Sequence, residues 1–146
     1  MCLTTFQNKP YIAKEDIIVY KALFKTEKQI LSPYRGFPYI LKELYQTNLG
    51  IPFATTNFSP KLISEGFHSY INRKDATDRW PEVYKCIIPK GSQYYIDSDQ
   101  EEIVSNQIII KRKLWFNIFN NLTYNRVKFV VGSNFKTNNY GKDNTN

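Results

Sequence analysis

Between Val83 and Lys111 the apolar positions come in three short runs set off by turn residues, which predicts three strands of one sheet at Val83–Ile88, Gln93–Asp97 and Ile103–Lys111. Pro89-Lys90-Gly91 supplies the first turn, with proline where its fixed φ helps, and the acidic segment Ser98 to Glu102 supplies the second. Upstream, the β-branched run Ile17 to Leu23 predicts another strand, and Gly66 to Ile71 a further one. Two stretches carry helical signals. Ile40, Leu41, Leu44 and Tyr45 share one face at helical spacing, with Asn48 and Gly50 as the stop. Asn72 to Trp80 reads as a short helix opened by a near capping box, Asn72 with Asp75, and ended by Pro81. Residues 1–16 read as irregular, 25–31 leave helix and strand open, 32–38 form a Pro-Gly loop, and 51–62 form a long connection. The resulting expectation is an α+β domain: a small mixed or antiparallel sheet with a few short helices.

Composition changes this picture little. A chain of 146 residues that is 42% hydrophobic and 16% aromatic can build the core of one domain. Residues 1–132 are expected to form that domain, and 133–146, rich in Asn, Lys and Gly, a disordered tail. No long apolar run and no basic-then-apolar leader is present, so the expectation is a cytoplasmic protein without a transmembrane segment. Cys2 and Cys86 make no disulfide framework and no metal cluster; Cys86 reads as core filler.

Charge divides the chain unevenly. Residues 1–110 carry 13 Lys/Arg against 12 Asp/Glu, whereas residues 111–146 carry 7 against 1. Any electrostatic grip on nucleic acid therefore belongs to the extension, where Lys111, Arg112 and Lys113 precede Trp115. Leu114, Trp115, Ile118, Phe119 and Leu122 would share one face of a helix able to dock on the sheet, a partner or a membrane interface, and 126–131 alternates as an edge strand would.

Candidate chemistry is sparse. His68 is the only histidine and so the natural acid or base near neutral pH, and Glu101 or Glu102 would be its carboxylate partner. Ser69 lacks the context of a nucleophile. Tyr20, Tyr34, Tyr70, Tyr94 and Tyr95 could line a cleft or simply fill the core.

The order of pieces, a strand with Tyr20-Lys21, a strand with His68-Ser69-Tyr70, a helix, then "IPKGSQYYID" and an apolar strand with Ser105 and Gln107, resembles the ADP-ribosyltransferase fold over residues 17–111. The resemblance implies that the basic residue holds a dinucleotide phosphate or ribose, the triplet supports the nicotinamide ribose, and a glutamate steadies an oxocarbenium-like transition state. In this chain Lys21 stands for arginine, His68 for the first serine and Gln107 for the glutamate. A neutral amide cannot offset developing positive charge, so the expectation is a non-catalytic module binding a protein or a nucleotide-like ligand through Tyr20, Lys21, His68, Ser69, Tyr70 and Gln107. The alternatives are a divergent NAD-dependent transferase or NAD hydrolase using Lys21, His68 and Glu101 or Glu102, and a nucleic-acid-binding accessory protein acting through residues 111–146. The "GFH" strand and "KCIIPKGS" hairpin also resemble a family of short phage and mobile-element proteins, which would imply the host cytoplasm and carries no activity.

Overall fold

The computed structural model describes residues 2–54 and 60–114. Their elements, in chain order, are β1 (Leu3–Thr5), β2 (Tyr11–Ile12), β3 (Ile17–Ala22), β4 (Phe24–Lys25), β5 (Ile30–Leu31), β6 (Pro38–Tyr39), β7 (Leu44–Gln46), β8 (Lys61–Ile63), β9 (Phe67–Tyr70), α1 (Arg73–Arg79), β10 (Val83–Ile88), β11 (Gln93–Ile96), β12 (Glu102–Ser105) and β13 (Gln107–Leu114). Among the described residues there is one helix of seven residues against thirteen strands, so the class is mostly β and the α+β expectation is corrected.

The organising element is the segment from Val83 to Leu114, which forms one long bent hairpin. Its outer half pairs Tyr94 with Ser105 and Ile96 with Ile103; its inner half pairs Ile87 with Ile109 and Val83 with Leu114. The bend is built by Pro89 to Ser92, where Gly91 takes φ +86° and the Ser92 amide donates to the Pro89 carbonyl. Opposite this turn, only Asn106 separates β12 from β13.

That short link dictates the shape. The eight-stranded antiparallel sheet runs β2-β11-β12-β9-β3-β10-β13-β7, placing β12 and β13 four strand steps apart. In a flat sheet that is about 19 Å, whereas the two peptide links from Ser105 to Gln107 span at most about 7 Å. The sheet therefore rolls until the two halves of this strand meet, and β3 touches β9 at the single pair Tyr20 and Tyr70. Inside the roll lie Val19, Leu23, Tyr84, Cys86, Ile88, Ile103, Ile108 and Ile110, contributed by alternate positions of the strands. On the outside, α1 lays Ala76 against Tyr20, Tyr70 and Val83, and the β1–β8 pair lays Leu3 and Ile63 against Tyr95 and Val104.

Two local expectations give way to tertiary pairing. Where a helix is expected from Ile40 to Tyr45, a turn with Lys42 at φ +67° leads from β6 into β7. β13 offers an unpaired edge, and the chain satisfies it: β7 pairs along Gln107 to Ile109, and the Lys42 amide donates to the Ile110 carbonyl. Of the apolar face a helix would have buried, Ile40 and Leu44 are left in water, 60% and 50% exposed, while Tyr45 packs on the core. Residues 1–16, read as irregular, supply β1 and β2, each finding its partner strand far along the chain. The helix at 73–79 forms, but without the capping box, since Asn72 Nδ2 donates to the Asp75 carboxylate at 3.2 Å and makes no side-chain cap bond to the helix amides. The expected helix at 114–122, strand at 126–131, domain boundary at 132 and disordered tail lie outside the described residues, except Leu114, which ends β13.

Candidate functional site

A cavity of about 630 Å³ opens where β3 and β9 diverge beyond their single paired position. Its inner wall is Lys21 of β3 with Phe67, His68 and Tyr70 of β9. Its outer wall is the 32–39 segment, contributing Tyr34, Arg35, Phe37 and Tyr39, and its rim carries Arg79 and Trp80 from the end of α1. Three cations, Lys21, Arg35 and Arg79, face it, against one carboxylate, Glu65.

The loop wall is held by its own hydrogen bonds. The Ser32 amide donates to the Phe37 carbonyl, the Phe37 amide to Ser32 Oγ at 3.1 Å, and Gly36 at φ +61° donates to the Ser32 carbonyl. Phe37 then meets Tyr39 and Tyr45 edge-on, with centroids 5.0 and 5.8 Å away, so the aromatic wall is braced against β7. At the entrance to β9, Gly66 takes φ +129°, and a Cβ there would stand 2.5 Å from Val104 Cγ2 and 3.1 Å from the Ser105 carbonyl oxygen. Only glycine brings the chain that close before His68.

Lys21 is the unusual member. It is a buried lysine whose ammonium donates to the His68 carbonyl and lies 5.8 Å from the centre of the Tyr39 ring. The ion pair of the described residues is Lys113 with Glu82, so no carboxylate among the described residues neutralises Lys21. Burial pulls its pKa down from 10.5 to about 8, opposed only by the nearby Cys86 sulfur. Beside it, burial and the positive charge of Lys21 push His68 down to about 4, with the Ser64 backbone opposing, which leaves the ring neutral at pH 7. Both ring nitrogens are shut from water, and although the Ser64 backbone lies close enough to oppose the shift, neither nitrogen reaches good hydrogen-bond geometry with a protein group. Cys86, pushed up to about 12 by burial, is a protonated thiol in the core, as its sequence position suggested, and Cys2 is free and exposed.

The residues singled out in the sequence separate into distinct places. Lys21, His68 and Tyr70 converge on the cavity together with Tyr34. Tyr20 is buried beneath α1, while Tyr94 and Tyr95 sit in two apolar clusters. Ser69 is fully buried with its hydroxyl unpartnered, and it does not line the cavity. Gln107 pairs with Gln46, which does line it, but the Gln107 side chain lies 3.0 Å from Ser92 Oγ at the hairpin bend. Glu101 is exposed in the turn, its amide donating to Asp97. Glu102 faces Tyr70 across the β12–β9 pair, where burial first and then the Glu102 charge push the phenol up to about 12, with Arg79 opposing; His68 is opposite Val104 instead. Lys113 is engaged by Glu82 at 2.8 Å, whereas Lys111 and Arg112 are exposed on β13, and Trp115 lies outside the described residues. No group of His, Cys, Asp and Glu among the described residues is arranged to hold a metal ion, and no described helix is long and apolar enough to cross a membrane.

Sequence reasoning missed Arg35, Phe37, Tyr39, Glu65, Arg79 and Trp80, which make up most of the cavity's charge and much of its aromatic surface. One signal was visible: in Ser32-Pro33-Tyr34-Arg35-Gly36-Phe37-Pro38-Tyr39 an arginine sits among aromatic residues in a proline-braced loop. Arg79 and Trp80 offered none beyond ending a helix. Compared with known families, curated proteins and solved structures, the chain matches none of them.

Proposed function

We propose that this protein is a binding module that takes a planar, anionic, nucleotide-like ligand in the cavity between β3, β9 and the 32–39 wall. The observation that carries the reading is Lys21, a buried cation with no carboxylate partner among the described residues, which opens onto an aromatic cavity also faced by Arg35 and Arg79. Burying a charge is costly unless something pairs with it. A phosphate entering this cavity would supply that pairing, and Tyr34, Phe37 and Trp80 would stack on a base. Arg35 is already committed in part, donating to the Ser64 carbonyl at 3.3 Å, so Arg79 is the freer clamp at the rim.

Binding is favoured over transfer because Gln107 is turned toward Ser92, and of the two glutamates expected beside His68, Glu101 is exposed in its turn and Glu102 lies opposite Tyr70. The test is calorimetric titration with ATP, NAD and ADP-ribose alongside their uncharged nucleosides. Nucleotides are expected to bind and nucleosides to fail, with Arg79→Gln weakening binding about 10–100-fold, the worth of one charge-assisted bond. Absence of heat or thermal stabilisation with every nucleotide would overturn the reading. Hydrolysis or transfer from NAD that disappears in Glu102→Ala would replace it with the divergent transferase.

A further inference from the structure

Lys21 has a chemistry that binding alone does not use. An ordinary lysine keeps its ammonium in water, and Lys21 does not: it is buried, its nitrogen donates to the His68 carbonyl, and its side chain forms part of the cavity wall. We propose that Lys21 is a carbonyl-reactive amine that forms an imine with an aldehyde carried by a planar, phosphate-bearing ligand in this cavity. The inference rests on the anion-binding reading given above, and adds to it a covalent step and a substrate class.

The step balances without any outside reagent. The lone pair of Nζ forms a C–N bond to the aldehyde carbon, the carbonyl π pair moves to oxygen, and that oxygen takes up the proton lost by Nζ. The C–O bond of this carbinolamine then breaks, its hydroxyl leaves as water with the second amine proton, and C=N remains. Amine and aldehyde become imine and water, with nothing oxidised or reduced.

Two features of the site favour the step. First, only the neutral amine attacks, and desolvation holds Lys21 near pKa 8 rather than 10.5. At pH 7.4 that makes roughly a fifth of the side chains neutral, roughly two hundredfold more than for an ordinary lysine. Second, the amine stands in the wall of a cavity lined by Tyr34, Phe37, Tyr39 and Trp80, beside the neutral imidazole of His68, whose two nitrogens are shut from water. The cations at the wall and rim would hold the phosphate of such a ligand while the aromatic side chains stack on its ring.

The probe is pyridoxal 5′-phosphate, a planar aromatic aldehyde with a phosphate, used with the full chain and trapped by borohydride before peptide mapping. The reduced adduct is expected on Lys21, formed at limiting reagent about tenfold or more faster than on any exposed lysine. It should be absent from Lys21→Met and from Lys21→Arg, the second of which keeps the cation in case the first does not fold. Pyridoxine 5′-phosphate, which has the ring and phosphate but no aldehyde, is run in parallel by thermal shift on the unaltered protein. Stabilisation by pyridoxine 5′-phosphate with no adduct on Lys21 sinks the imine and leaves the anion-binding reading standing. Failure of both probes sinks the imine, and the anion-binding reading is then decided by the nucleotide titration. Labelling spread evenly over exposed lysines, and unchanged in Arg79→Gln, shows general amine chemistry and also overturns the proposal.

Discussion

The hairpin from Val83 to Leu114 and the wall from Phe24 to Gln46 lie side by side and treat their polar groups in opposite ways. Along the hairpin, apolar side chains such as Tyr84, Cys86, Ile88, Ile103, Ile108 and Ile110 are shut from water, and both strands are laddered over most of their length. The wall is built from strands of two or three residues, leaves Ile40, Leu41 and Leu44 exposed, and borders a buried ammonium with an unbonded imidazole beside it. One region spends its sequence on stability. The other borders groups of β3 and β9 whose burial costs stability, which is the usual mark of a place kept for a ligand.

The contrast breaks or sharpens on four measurements. The largest effect belongs to the hairpin: Ile110→Ala is expected to lose about 2–5 kcal/mol in denaturant unfolding, and a loss under 1 would mean that the roll is not the seat of stability. Next is the seam between the regions, where Gly66→Ala must fit a Cβ against Val104 and the Ser105 carbonyl at positive φ, costing about 2–3 kcal/mol. If that variant melts with the unaltered protein, the approach of β9 to β12 is looser than described.

The third is acid sensitivity. His68 has a folded pKa near 4 against 6.5 unfolded, so the unfolded chain binds more protons between those values and stability falls as pH drops from 6.5. By pH 5 the loss reaches about 2 kcal/mol. Lys21 on β3 and Arg35 on the loop act on His68 in the same direction. The raised carboxyls of Asp97 and Glu102 oppose the trend only near their own range. His68→Gln should flatten the profile between pH 6.5 and 5; an unchanged slope would assign the effect elsewhere.

The smallest effect has the opposite sign. Lowering Lys21 from 10.5 to about 8 burdens the fold by about 3 kcal/mol below pH 8, offset by about 1–2 from its bond to the His68 carbonyl. Lys21→Met is therefore expected to be about 1–2 kcal/mol more stable at pH 7. The burden lifts as pH rises from 8 toward 10.5, until the raised tyrosines such as Tyr70 begin to oppose it near pH 10. A Lys21→Met protein less stable than its parent would show that the ammonium is structurally required.

How much of this was legible follows from where each signal is stored. The strands at 17–22, 67–70 and 83–114 were read because β-branched runs and Pro-Gly turns are local, and their side chains alternate into one core. Lys21 stands out only through a resemblance of motif order, His68 also as the only histidine and Tyr70 also as a possible cleft aromatic, whereas Gln107, singled out by the resemblance, is held at the hairpin bend instead. The helix expected at 40–45 failed because a local period cannot register that β13 offers an open edge some 60 residues later in the chain.

By itself, then, the sequence determined the strand runs at 17–22, 67–70 and 83–88, the Pro-Gly turn and the short helix, but not that Pro89–Ser92 bends one arm of a hairpin instead of closing β10 on β11, nor that the run 103–111 breaks at Asn106. Only the tertiary structure decided the rest. The single-residue link at Asn106 forces the sheet to roll, and that roll brings β3 beside β9 so that their divergence leaves a cavity. The same packing removes water from Lys21 and His68 without giving either a carboxylate among the described residues, and whether a charge is paired or stranded depends on what lies across the fold, information that no run of neighbouring residues carries.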